Sequence, residues 1–167
     1  EVLKENSTVR NTFRSYLFPI AIVLSVFIFL LRLIYYTPLQ ALGFGIVNFI
    51  AATSGAWFTY LITREYLCNK LNYPDHAALN LTIYSYTIFI IFHSIGGALE
   101  NIFIGQIFTL LSLIFLRTLY TGAEQLQQLQ ANHKTNILII TFLSIVFIPV
   151  IITQILMIVF RISVINV

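Results

Sequence analysis

The densest run of hydrogen-bonding side chains in this sequence is Tyr84-Ser85-Tyr86-Thr87, inside an otherwise apolar stretch. Asn80, Tyr84 and Thr87 are spaced by four and three residues, so a helix would place them on one face with Ser85 nearby. Phenol, hydroxyl and amide groups can bind a ligand or a lipid headgroup, or they can hold neighbouring helices together by hydrogen bonds. Both interpretations are open at this point.

Further polar residues extend this candidate site along the apolar parts of the chain. The complete set consists of Asn80, Tyr84, Ser85, Thr87, His93, Gln106 and Gln154. In the first interpretation these side chains face a polar cleft. In the second they make hydrogen bonds between helices, with partners such as Asn48, Thr53 and Thr59 in the second apolar segment.

Signatures of catalysis and metal binding are missing from the sequence. It contains no HExxH, GxSxG or phosphate-binding loop motif, and no glycine-rich dinucleotide fingerprint. His76 and His93 are seventeen residues apart on one predicted helix, roughly 25 Å at about 1.5 Å per residue, so they cannot share a metal ion. The single cysteine, Cys68, excludes a disulfide within the chain. We predict a non-enzymatic protein without a metal or another cofactor.

The composition indicates a membrane protein. Of the 167 residues, 59% are hydrophobic and only 9% are charged, whereas about 25% of residues are charged in an ordinary soluble domain. The mean hydropathy is +0.91. At roughly 20 residues per span, the length allows about five transmembrane helices and no separate soluble domain. The expected surroundings are therefore a lipid bilayer, and no nucleic-acid partner is expected.

We predict an all-α polytopic membrane protein, with residues 1–167 forming a single domain built as a bundle of five transmembrane helices. Residues 1–14 are predicted to form an interfacial leader, either a short helix or turn on the membrane or a solvated segment. Asp75 follows Pro74 and is suited to cap the third helix. The predicted spans cover residues 15–34, 39–63, 77–95, 102–120 and 135–160.

The third and second spans have different roles in this prediction. Polar groups are costly in hydrocarbon unless they face protein or water, so the third span should be the buried centre of the bundle. The second span carries small residues that let helix backbones approach closely. Its packing partner is a helix of the same chain or another subunit, in a homo-oligomer or with another membrane protein. The small residues are Gly43, Gly45, Ala51, Ala52, Gly55 and Ala56.

The basic residues predict the orientation in the membrane. With five spans, only Arg32 and Arg161 lie on the side of the C-terminus. The cytoplasmic side of a membrane protein carries the excess of Lys and Arg, so the N-terminus is predicted to be cytoplasmic. The side of the N-terminus carries seven basic residues, namely Lys4, Arg10, Arg14, Arg64, Lys70, Arg117 and Lys134.

Several segments, in order, resemble the bacterial branch of the Yip family, the Ypt-interacting five-span membrane proteins. They are KENSTV before the first span, SGAWFTYLITREYL closing the second, YSYT in the third and LRTLYTG closing the fourth. The chain departs from the bacterial pattern at Ile88, where a proline usually follows YSYT, and in the glutamine-rich EQLQQLQANHK segment. The resemblance implies five spans and a cytoplasmic N-terminus in the inner membrane. Eukaryotic relatives bind lipidated Rab-type GTPases, a role that no matching residue transfers to this chain.

Two functions follow as hypotheses. The first is a membrane scaffold, or a module that binds a partner or a lipid. The alternative is a small transporter or channel with a polar cleft lined by the third span. A water-filled cleft between the second, third and fifth spans would favour transport, and a dry bundle would count against it. The scaffold hypothesis predicts no continuous polar path.

Overall fold

The computed structural model describes residues 9–100, 102–126 and 131–160, and all regular structure within them is helical. Five helices are long and apolar enough to cross a membrane, which confirms the predicted all-α bundle. A helical turn, Val9–Thr12, leads directly into the first of them. Residues 1–8 of the predicted leader lie outside the described residues. The helices are α1 (Phe13–Arg32), α2 (Pro38–Lys70), α3 (Asp75–Ala98), α4 (Phe103–Glu124) and α5 (Ala131–Val159).

Each helix runs past at least one end of its predicted apolar span. After Arg64, α2 continues through a π-helical segment, Glu65–Lys70. The predicted spans place these residues in the connection between the second and third spans. The predicted capping role of Asp75 is wrong, because the N-cap of α3 is Pro74 and Asp75 is the first residue of the helix. Oδ1 of Asp75 accepts a hydrogen bond of 2.7 Å from Nε of Arg64. The ion pair joins the end of α2 to the start of α3, because only four residues separate the two helices.

The connection between α1 and α2 is a tight turn over residues 33–37. Thr37 begins α2 with a capping box, in which its side chain accepts from the backbone N–H of Gln40 and the Gln40 side chain accepts from the backbone N–H of Thr37. Pro38 occupies the first helical position, where its missing N–H is harmless. We call this end of the bundle, with the α3–α4 turn and the end of α5, the C-terminal end. The other end, where α1 begins, is the N-terminal end.

The third helix is the centre of the bundle, as its polar residues predicted. It contacts each of the other four helices. Of its most apolar 18-residue window, 67% is buried inside the protein, against 17% to 44% for the other four helices. The side chains of Asn80, Ser85 and Thr87 are almost completely buried, so they face protein rather than lipid tails.

The small residues of α2 pack against helices of the same chain. A Cβ atom at Gly45 would lie 3.1 Å from the backbone oxygen of Ser25 in α1. At Gly55 it would collide with the hydroxyl of Tyr86 in α3 and lie 3.2 Å from Cβ of Pro149 in α5. The neighbouring Ala51, Ala52 and Ala56 are buried, and Gly43 is half-buried.

Candidate functional site

A cavity of about 670 Å³ lies between α1, α2, α3 and α5 at the C-terminal end of the bundle, and we call it the C-terminal cleft. Its walls are mainly apolar side chains, and residues of its rim reach the protein surface. Ala51, Ile90 and Pro149 line it near the middle of the bundle. Its polar lining consists of Arg32, Asn48, His93, Ser94, Glu100, Thr153 and Gln154.

Arg32, the last residue of α1, is the cation of this cleft. Its side chain is only 8% exposed. Nη2 donates to the backbone oxygen of Gly97 at 2.8 Å and to Oε1 of Glu100 at 3.1 Å. The guanidinium carbon lies 4.7 Å from the ring centroid of Phe44 and 5.4 Å from that of Tyr36, within the range of cation–π attraction. The C-terminal turn of α3 and two aromatic rings therefore hold this charge in place.

Asn48 joins three helices on one wall of the cleft. Its Nδ2 donates to Oγ of Ser25 in α1 at 3.2 Å, and its Oδ1 accepts from Oγ of Ser94 in α3 at 2.8 Å. The Ser25 hydroxyl donates in turn to the backbone oxygen of Ala21. Every polar group of the link is paired, so Asn48 acts here as an interhelical tie.

Replacing Asn48 by alanine is expected to lower the free energy of unfolding by about 1 kcal/mol, the usual scale for interhelical hydrogen bonds in membranes. An SDS titration followed by circular dichroism measures this change. Ser54→Ala is the matched control on the same helix, because its hydroxyl donates only to the Ile50 oxygen of its own helix. Equal stability of Asn48→Ala and Ser54→Ala would contradict the assigned role.

The cleft ends at Tyr86, which fills the centre of the bundle. This side chain is fully buried, and its hydroxyl donates to the backbone oxygen of Ala51 at 3.2 Å. Gly55 gives it room, since a Cβ there would overlap the hydroxyl. Further toward the N-terminal end, α2 and α5 meet through a contact of 3.2 Å between the hydroxyls of Thr63 and Thr141. A packed layer therefore lies beneath the cleft.

A second cavity, of about 430 Å³, lies at the N-terminal end between α1, α3 and α4, and we call it the N-terminal hollow. The hydroxyl of Ser85 is buried there without a hydrogen-bond partner among the described residues. The exposed Arg117 of α4 is at its margin. The hollow and the cleft have no lining residue in common. Its polar lining consists of Tyr16, Asn80, Tyr84, Ser85, Arg117, Thr118, Thr121 and Gln125.

The structure divides the candidate residues of the sequence between these two cavities. Asn80, Tyr84 and Ser85 line the N-terminal hollow, whereas His93 and Gln154 line the C-terminal cleft. The separation follows from helix geometry: His93 is thirteen positions after Asn80, which corresponds to roughly 20 Å along α3.

Two candidates line neither cavity. Thr87 is buried, and its hydroxyl donates to the backbone oxygen of Ile83 at 2.7 Å within its own helix. Gln106 lies exposed near the start of α4. The seven residues are therefore not one cluster, although five of them line a cavity.

No protein-family model, curated protein or solved structure matches this chain.

The candidate residues predicted from the sequence do not include several that give the C-terminal cleft its polar character. The most important of these are Arg32, Ser94 and Glu100. Arg32 directly follows an apolar span, a position from which a long side chain normally reaches the headgroups. Only the contact between the end of α1 and the end of α3 shows that it is buried. A usable signal was present, because Arg32 is one of only two basic residues predicted for that side of the membrane.

The arrangement of the C-terminal cleft is suited to binding a small amphiphilic molecule. Among the described residues, no three His, Cys, Asp or Glu side chains lie close enough together to hold a metal ion. The C-terminal cleft instead combines apolar walls with a cation and several hydrogen-bonding groups. Sites for small molecules usually have this character and volumes of about 300–1,000 Å³. A ligand with an apolar body and a polar head matches these features.

Proposed function

We propose that this chain is a non-enzymatic, multi-pass inner-membrane protein of the Yip family that acts as a lipid-binding scaffold. In this proposal, the C-terminal cleft holds one amphiphilic molecule between α1, α2, α3 and α5. The observation that carries the proposal is the combination of apolar walls, a polar rim and a packed floor in a cavity of about 670 Å³.

Access from the surrounding bilayer supports a lipid as the ligand. Gln154 and Ile158 line the cleft and are exposed on α5, so the cavity reaches the surface that faces the acyl chains. Ile28 and Val47 supply apolar wall deeper inside. A lipid tail entering between helices would bury apolar surface there while its headgroup stayed at the polar rim.

The floor of the cleft favours binding over conduction. Tyr86 fills the layer beneath it and is held by Gly55 and by the backbone oxygen of Ala51. An ion or a polar solute would need this layer to open before it could cross. A scaffold needs no such opening.

The family assignment rests on the sequence segments that resemble the bacterial Yip proteins, together with the five helices in the expected order. In that family five spans form the whole membrane domain.

A small transporter is the second candidate, and the position of the cleft favours it. Besides α1, the cavity borders α2, α3 and α5, where a substrate pathway lined by the third span was expected, and it contains His93, Thr153 and Gln154. Transport would require Tyr86 to leave its place beside Gly55. Uptake of solute into proteoliposomes would support this function, and binding of lipid without any uptake would support the scaffold.

The proposed function is tested by purifying the protein with its native lipids and measuring the bound molecules by native mass spectrometry. Val150→Trp places a large ring in the cleft, so the lipid-bound fraction should fall by about fivefold or more as the cavity fills. Ile151→Trp is the matched control, because its side chain is 53% exposed on the outer face of the same helix. Equal lipid retention by the two variants would contradict the proposal.

A further inference from the structure

We infer that the C-terminal cleft selects an amphiphile with an anionic phosphate headgroup, which Arg32 binds in place of Glu100. This inference rests on the proposed lipid-binding function and deepens it by naming the chemistry of the headgroup. The carboxylate of Glu100 is the anion that balances the buried guanidinium in this structure.

Arg32 has unused hydrogen-bond donors. A guanidinium carries five N–H donors in a planar fork. Both of its hydrogen bonds come from Nη2, to Gly97 and to Glu100. Nε is buried and has no partner among the residues that the structure describes. A buried donor without an acceptor is unfavourable, so an incoming oxygen atom at this position would be stabilising.

Another anion can replace Glu100 as the partner of Arg32. It contacts Arg32 through one oxygen, Oε1, at 3.1 Å, and its side chain is 50% exposed while that of Arg32 is 8% exposed. The guanidinium therefore stays within the protein when the carboxylate turns into water. Gly97 remains as the backbone acceptor for Nη2, so the fork keeps its orientation during the exchange.

The planar guanidinium of Arg32 matches the geometry of a phosphate group. A phosphate offers several oxygens in the geometry that an arginine binds through two nitrogens at once. The rings of Phe44 and Tyr36 cover the guanidinium and hold it at the mouth of the cleft. Apolar wall from Ile28 and Met157 lies beside it, where the first carbons of the lipid tails would pack. One residue thus anchors the headgroup next to the apolar cavity.

The test uses native mass spectrometry of the full chain in detergent with two added lipids, dioctanoyl phosphatidylglycerol and dioctanoylglycerol, which share their tails and differ in the phosphate headgroup. The wild-type protein should bind the phospholipid about tenfold more tightly, as expected for charge-assisted hydrogen bonds. Arg32→Gln should reduce this preference to about twofold or less, because the neutral amide has no positive charge. Glu100→Gln should raise the affinity for the phospholipid by about threefold or more, because it removes the competing anion.

Control variants distinguish the loss of the phosphate contact from misfolding and from a general loss of lipid binding. Arg64→Gln removes an exposed arginine of the other end of the bundle and should leave both affinities unchanged. Arg32→Lys keeps the charge without the fork and should retain an intermediate preference. If Arg32→Gln does not fold, the wild-type preference and the Glu100→Gln affinity still decide the question.

Three results would overturn the inference. Equal binding of both lipids, with loss of both in Val150→Trp, would support the lipid-binding function. It would contradict the selection of a phosphate headgroup. Binding of inorganic phosphate alone as tightly as the phospholipid would assign the site to a free anion and not to a headgroup. Weaker binding of phosphatidylglycerol to Glu100→Gln would likewise contradict the exchange.

Discussion

Gly105→Ala is expected to lower the free energy of unfolding by about 3 kcal/mol, at the upper end of the usual cost of overpacking. A Cβ atom at Gly105 would overlap the backbone oxygen of Leu99 and approach that of Gly96 within 2.9 Å. These are main-chain atoms of the last turn of α3 and of the turn that joins it to α4. No side-chain rotation can relieve the collision, so the two helices would have to move apart.

Gly97→Ala is the matched control for this variant, because a Cβ atom there meets no other atom within 4 Å. The same substitution at this open helical position should leave stability unchanged or raise it slightly, since alanine favours helix over glycine by about 1 kcal/mol. An SDS titration followed by circular dichroism gives both free energies. If the two variants were equally stable, close packing of the α3–α4 turn would not be a main source of stability.

Tyr86→Ala is expected to cost about 3–5 kcal/mol, the range for removing a large aromatic side chain from a packed core. Tyr86 is fully buried at the centre of the bundle and lies against Gly55 of α2. Alanine would leave a cavity directly beneath the C-terminal cleft. The thermal unfolding midpoint in detergent should fall sharply, because neighbouring helices relax only partly around such a cavity.

Tyr86→Phe separates the ring from the hydroxyl. It keeps the packed volume and loses the hydrogen bond of 3.2 Å to Ala51, so its cost should be about 1 kcal/mol. A cost for Tyr86→Phe equal to that for Tyr86→Ala would mean that the hydroxyl, and not the ring, supports the floor. Solute uptake by Tyr86→Ala in proteoliposomes, absent in the wild type, would show that this ring closes the path across the membrane.

The central position of α3 was predictable because lipid tails cannot satisfy polar side chains. Asn80, Ser85 and Thr87 interrupt an apolar span, and the only favourable surroundings for them are other helices or an enclosed cavity. The close approach of α2 to its neighbours was predictable for a similar reason, since Gly45 and Gly55 leave room for a backbone or a ring. Both predictions follow from the size and polarity of single residues.

The capping role of Asp75 was not predicted correctly because a distant residue competes for its carboxylate. Cap preferences describe an isolated helix end, whereas the end of α2 brings Arg64 within 2.7 Å of Oδ1. A charged partner binds the carboxylate more strongly than a neutral backbone N–H. The competition depends on the tight connection between α2 and α3, which local sequence preferences do not describe.

By itself, the sequence determined that this protein is a five-helix membrane bundle with a polar helix at its centre, because hydrophobic length and the cost of exposed polar groups are local quantities. Only the tertiary structure decided that the polar residues divide between two cavities and that Arg32 is buried beside Gly97 and Glu100. The rotation of each helix and the meeting of α1 with the end of α3 result from packing among all five helices, so no single segment encodes them.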